Sequence, residues 1–262
     1  MKVVILGAGE MASGTACRLF RCGISVAMTE VAQPMAVRRA VSFCEAVWDR
    51  EAVVEGVIGR LWSDNLVVPD KLDHVAVFID PKAALVGSWL PDVVVDARLL
   101  KTEGVTSVDM APLVVSLGPG AVAGRDAHVV VETNRGHDLG RLIYVGSAAA
   151  DTGVPGEIGG FTAQRVLRSP ASGPVRCLRR IGDCLAANEP VASVAGVEVT
   201  TAIAGVLRGI LHDGVMASKG MKLGDVDPRG IPDACFTVSD KSRNIAGSVL
   251  EAILRRYPVV RI

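Results

Sequence analysis

The chain has 262 residues, half of them hydrophobic and only 4% aromatic, enough to bury a sizeable core as one large domain or two modest ones. Lysine plus arginine and aspartate plus glutamate are both 28, a balance that argues against nucleic acid or an anionic membrane as the main partner. No uninterrupted apolar run reaches the ~18–20 residues of a membrane span, and the longest candidate, 111–124, is broken by Pro112 and Pro119.

The N-terminus passes from Lys2 straight into a strand without a cleavage site, so no signal peptide is expected. An apolar strand, Val3 to Leu6, runs into Gly7, Gly9 and Ala12, and a helix follows that carries Gly14, Ala16 and Leu19 and ends near Gly23. A second apolar stretch ends at Glu30. Strand, G-x-G-x-x-A turn, helix, strand and acid form the arrangement that holds a dinucleotide pyrophosphate on backbone N–H groups, with the carboxylate for a ribose hydroxyl. The turn fixes a phosphate cradle and no particular chemistry. Glu10, inside it, repels a pyrophosphate unless its carboxylate turns away.

Pro34 is expected to open a helix through Trp48, with Arg38 and Arg39 near its start. For a nicotinamide cofactor, those arginines would tune NAD against NADP. A strand pair around Val53 to Trp62 follows, then strands at Val75–Ile79, Asp92–Ala97, Leu113–Leu117 and Val129–Val131, with a helix at Pro81–Leu90. Continuous apolar strands separated by helices suit a parallel sheet covered on both faces. The expected first domain is therefore a Rossmann-like nucleotide-binding unit over 1–130.

Beyond it the strands shorten, and Ser169–Val194 is echoed by Thr201–Val226 at an offset of about 32 residues. Each copy carries a small-Gly-apolar start, an apolar strand and a Gly/Asp turn. The layout looks like a barrel-sandwich hybrid of the biotinyl and lipoyl type. The stretch between the copies, Ala195 to Val199, has no lysine, so the expectation over 131–230 is a rigid platform and not a swinging arm. Ser239 or Asp240 then caps an amphipathic helix with Ile245, Val249, Leu250, Ile253 and Leu254 inward. Over 231–262 this element is expected to pack on the first domain.

Three constellations can carry chemistry. In VETNRGHDLG, at the end of a strand, Glu132, Arg135 and His137 put three ionisable groups within six residues. Arg135 can clamp an anion and His137 can shuttle a proton, or the segment is a solvated turn with a Glu–Arg pair. The loop 151–161, with its glycines and Glu157, is a ligand contact or an inter-domain hinge. Cys235, a few residues before a helix N-terminus with Lys241 nearby, is a reactive thiolate or a buried packing residue. No metal-ligand cluster, P-loop or G-x-S-x-G elbow is present. Six cysteines without C-x-x-C spacing fit neither a zinc framework nor a disulfide scaffold, and so fit the cytoplasm.

Several blocks together resemble the YqeB-type accessory proteins of selenium-dependent molybdenum hydroxylases. They are GAGEMASGTACRLFRCG, PMAVRRAVSFCEAV, DMAPLVVSLGPG, ETNRGHDLG, TGVPGEIGG, DVDPRG and CFTVSDKSRNIAGSVLEAIL. The resemblance implies a role in maturing the molybdenum and selenium site, with that hydroxylase and its other maturation proteins as partners. It implies a nucleotide-bearing cofactor, either molybdopterin cytosine dinucleotide or NAD(P). Gly7 and Gly9 fall on the family's glycine turn, Glu132, Arg135 and His137 on its E-T-x-R-G-H block, and Cys235, Ser239, Asp240 and Lys241 on its C-F-T-x-S-D-K block. Cys235 would then handle sulfur or selenium. A free-standing NAD(P)-dependent oxidoreductase and a non-catalytic cofactor chaperone are the alternatives, and the sequence leaves a homo-oligomer open.

Overall fold

A computed structural model describes residues 1–63, 67–100 and 106–258. The chain divides into two compact units, one of Met1–Pro34, Ser42–Thr152 and Ser239–Ile262, the other of Met35–Val41 and Gly153–Val238.

In the first unit, β1 (Lys2–Leu6) leads into α1 (Glu10–Arg21) and β2 (Ser25–Glu30). A one-turn helix α2 (Ala46–Asp49) precedes the hairpin of β3 (Glu51–Val54) and β4 (Val57–Leu61). Then come β5 (Val75–Ile79), α3 (Ala84–Trp89), β6 (Val93–Asp96), β7 (Leu113–Leu117), β8 (Val122–Ala123), β9 (Val129–Val131), β10 (Leu142–Ile143) and β11 (Gly146–Ser147). One nine-stranded sheet runs β10-β9-β7-β6-β1-β2-β5-β4-β3. Its strands from β9 to β4 pair in parallel, and β3 and β10 close its two edges in antiparallel. Val4, Leu6, Ala27, Ala76, Phe78, Val94, Val114 and Val130 belong to one buried cluster with Leu85 and Trp89 of α3. Strands buried on both faces explain why the sequence reads as continuous apolar runs here.

In the second unit, β12 (Val166–Arg168), β13 (Gly173–Cys177), β14 (Cys184–Leu185), β15 (Pro190–Val194), β16 (Val197–Thr200), β17 (Gly205–Ile210), β18 (Met216–Ala217) and β19 (Lys222–Asp227) form two four-stranded sheets. Their orders are β12-β19-β17-β14 and β16-β15-β13-β18, and their pairings are antiparallel. The long helix α4 (Asp240–Arg256) returns to the first unit and lies against α1.

The expected fold class, a Rossmann-like parallel domain plus a lysine-free barrel-sandwich hybrid, is therefore corrected. The chain forms a large mixed sheet with antiparallel edges, and separate antiparallel sheets. The expected helix from Pro34 to Trp48 is also absent. In its place stand two short 3-10 turns, Arg39–Val41 and Phe43–Glu45, before α2. Long-range bonds override helical propensity there: Phe43 N–H donates to Ser13 Oγ at 2.8 Å and Cys44 N–H to the Ala8 carbonyl at 3.0 Å. In α4, Ser239 is the cap, its Oγ accepting from Ser242 N–H at 3.2 Å. Ile245, Val249 and Ile253 are buried as expected, whereas Leu254 lies exposed.

Candidate functional site

The chain passes from β1 to β2 on one side and later returns to β6 on the other. In open α/β sheets, the region beyond the carboxyl ends of the strands at such a reversal, here β1 and β6, is where ligands are taken. Gly7, directly after β1, has φ +90°, a left-handed conformation that a side chain strains. A Cβ there would also lie 3.4 Å from Arg98 Cγ and 3.5 Å from the Ala97 carbonyl oxygen.

The turn is tied down on several sides. Gly7 N–H donates to the Thr29 carbonyl at 2.8 Å. The two Glu30 oxygens accept from Ala8 N–H at 2.9 Å and Val31 N–H at 2.8 Å. A carboxylate offers about four lone-pair sites, so Glu30 keeps acceptor capacity. Gly9 is the N-cap of α1 in extended conformation, without a side-chain cap. The N–H groups of Gly9, Met11 and Ala12 have no acceptor among the described residues. Ala12 and Gly14 are buried on α1.

Glu10 does not face the turn's donors. Its Oε1 accepts from Ser239 N–H at 3.2 Å, and its carbonyl accepts from Ser242 Oγ at 3.0 Å, at the start of α4. At the end of β6, the buried Asp96 holds Arg98 through Nε at 2.9 Å and Nη2 at 2.7 Å.

At the end of β9, Glu132 is buried and both its oxygens are occupied, by Asn134 N–H and Ala149 N–H at 2.7 Å each. Arg135 makes a two-pronged pair with Asp240 of α4 at 2.7 and 2.8 Å. His137 is exposed and hydrogen-bonds to nothing among the described residues. Glu132, Arg135 and His137 are thus neighbours in sequence that do not bond to one another. A groove of about 400 Å³ beside them is lined by Glu132, Asp138, Arg141, Leu142 and Tyr144.

Lys241, in the first turn of α4, is half-buried and its ammonium makes no ion pair among the described residues. Burial, and then the charge of Arg135, push its pKa below the ordinary 10.5, against the pull of Glu10, Glu132 and Asp151. Sequence reasoning named Lys241 as a neighbour of Cys235, which lies in the other unit, and missed Arg98 altogether. The signal for Arg98 was a polar D-A-R at the end of a continuous apolar strand.

Cys235 and Arg38 belong to the other unit. Cys235 is 1% exposed, its Sγ donates to the Leu207 carbonyl at 3.7 Å, and burial pushes its thiol up. That environment is the opposite of a thiolate's. Arg38 is buried and donates to the carbonyls of Arg208, Cys235, Thr237 and Ala234 at 3.2, 3.2, 3.1 and 3.5 Å. Among the described residues, no group of three or more His, Cys, Asp or Glu is able to hold a metal ion, and no helix is long and apolar enough to cross a membrane.

No protein-family model matches the chain. It is 44% identical over 254 residues to YqeB, an uncharacterized protein of Escherichia coli (strain K12). The match takes in 96% of this chain and 47% of YqeB, so the chain is homologous to that protein over nearly its own length and spans about half of it. Among solved structures, an aspartoacylase family protein from Mesorhizobium loti overlaps 86% of this chain and 84% of its own, at 14% identity and a TM-score of 0.29. The ectoine utilization protein EutE from Ruegeria pomeroyi overlaps 86% and 87%, at 11% identity and a TM-score of 0.26. TM-scores of that size transfer no function.

Proposed function

We propose that the chain is an accessory protein in the maturation of a selenium-dependent molybdenum hydroxylase, and that it holds a nucleotide-bearing cofactor by its phosphates at the glycine turn. The observation that carries the cofactor half of this reading is the set of unanswered N–H groups at Gly9, Met11 and Ala12, beyond the carboxyl end of β1, where Gly7 keeps the backbone open. The residues fit such a group: Glu30 retains lone pairs for a ribose hydroxyl, and Glu10 is drawn off by α4. The maturation half rests on the sequence blocks shared with YqeB-type proteins. Molybdopterin cytosine dinucleotide and NAD(P) both present the phosphates this site would take.

Handling of selenium or sulfur by Cys235 is not part of the reading, because that thiol is closed off and protonated at neutral pH. Native mass spectrometry of protein purified from its own host tests the proposal by weighing what is bound. A pterin dinucleotide supports it. Bound NAD(P) with turnover of a small substrate would replace it with the oxidoreductase reading. Failure to bind any nucleotide, with hydroxylase activation intact in cells lacking the protein, refutes it.

A further inference from the structure

Arg98 is absent from the glycine-turn pattern, yet it stands over that turn. Its stem packs against Gly7, where an added Cβ would lie 3.4 Å from Arg98 Cγ. It follows β6, and Gly7 follows β1, so the two stand at the carboxyl ends of neighbouring strands.

The guanidinium is fixed before any ligand arrives. Asp96 Oδ1 takes Nε at 2.9 Å and the Arg98 backbone N–H at 3.2 Å, while Oδ2 takes Nη2 at 2.7 Å and the Thr106 hydroxyl at 3.4 Å. Asp96 is buried, whereas the Arg98 side chain is 26% exposed, so the pair has a closed end and an open end. A guanidinium has five N–H groups. Two are spent on Asp96, and the remaining three have no acceptor among the described residues. Asp96 cancels the local charge without using that outward face, and its hydrogen bonds keep Arg98 protonated.

An arginine in this state matches an oxyanion in two ways. Its rotamer entropy is already spent, and its open edge is the planar fork that pairs with two phosphate oxygens. The backbone donors of Gly9, Met11 and Ala12 supply the other hydrogen bonds.

We propose that Arg98, oriented by Asp96, is the side-chain clamp for the phosphates of the ligand at the glycine turn. The clamp rests on the nucleotide reading given above and adds the residue that sets preference for a diphosphate over an uncharged ligand. Asp96 is a positioning residue, and Arg98 touches the ligand.

Calorimetric titration with ADP and with inorganic pyrophosphate, at low and high salt, tests the clamp. Both probes bind wild-type protein. Arg98→Met weakens both by about tenfold or more and flattens the salt dependence, because the lost contact is charge-assisted. Arg98→Lys keeps the charge without the fork and falls between the two, which separates a clamp from a packing role. Its melting temperature, close to that of wild type, guards against loss of fold. Wild-type binding with Arg98→Met unchanged within about twofold overturns the clamp and leaves the nucleotide reading standing. Wild-type protein that binds neither probe refutes the nucleotide reading and the clamp with it. Pyrophosphate binding without ADP binding keeps the clamp and assigns the site to a free polyphosphate.

Discussion

Arg38 separates two readings of one residue, and replacing it with methionine puts a number on the choice. In a nicotinamide enzyme this arginine would face a nucleotide phosphate. In the structure it is 6% exposed and donates to four backbone carbonyls of its own unit, three of them at 3.1–3.2 Å. Methionine keeps most of the apolar stem and removes every donor. Each charge-assisted bond contributes about 1.5–3 kcal/mol, and each buried carbonyl left without a donor costs about 1–3 kcal/mol. Desolvation of the guanidinium in the wild type offsets part of that sum, as in other buried charges. The net loss for Arg38→Met is about 4 kcal/mol. In a chain of this length that is roughly 10 °C in melting temperature. The Cys235 thiol also loses the cation that draws its pKa down and titrates higher still. Differential scanning calorimetry measures the first effect, and equilibrium titration with NAD and NADP checks the second reading. A loss below about 1 kcal/mol, together with a changed ratio of NADP to NAD affinity, would refute the structural role.

Ser239→Ala removes the cap of α4 and costs about 1 kcal/mol in urea unfolding; no loss would show that the Ser239–Ser242 bond carries nothing. Iodoacetamide near neutral pH labels the exposed Cys22 and Cys184 and spares Cys235 in peptide mapping, and fast labelling of Cys235 would contradict its closed environment. Lys241→Met raises the melting temperature near pH 7. Burial holds the folded pKa below 10.5, so the folded state loses that proton before the unfolded state does. The charge therefore costs stability below the folded pKa, and the cost is relieved as pH climbs toward 10.5. The advantage of the methionine variant shrinks over that window, and a difference that stays constant there would show that Lys241 is not the titrating group.

The sequence was most legible where the backbone dictates the pattern. The strands at Leu113–Leu117 and Val129–Val131 fall on their expected residues, because strands buried on both faces leave an uninterrupted apolar run. Pairing direction was hidden. The β3–β4 hairpin was read as a strand pair without its place at the sheet edge, and the two-residue β10 is too short to carry a pattern, so neither antiparallel edge was assigned. Pro34 to Trp48 carried helical spacing, but its arginines and amides find partners far along the chain, which no local pattern records. Glu132 and Arg135 looked like an ion pair because they are three residues apart. Folding gives Arg135 to Asp240 and Glu132 to the backbone amides of Asn134 and Ala149.

Glu10 ties the site together. A carboxylate one residue inside a phosphate cradle disfavours a pyrophosphate by direct repulsion. The same carboxylate is favourable at a helix N-terminus, where unpaired N–H groups present partial positive charge. Glu10 stands in the first turn of α1 and accepts from Ser239, the cap of α4, so it serves two helix N-termini at once. Ser242 Oγ donates to the Glu10 backbone carbonyl, a second bond between the two helix starts. The charge is thereby committed to the start of α4, and the donors at Gly9, Met11 and Ala12 are left to a ligand. The acid that counts against a nucleotide when the turn is read alone becomes the joint that holds α4 to α1 and leaves the cradle open.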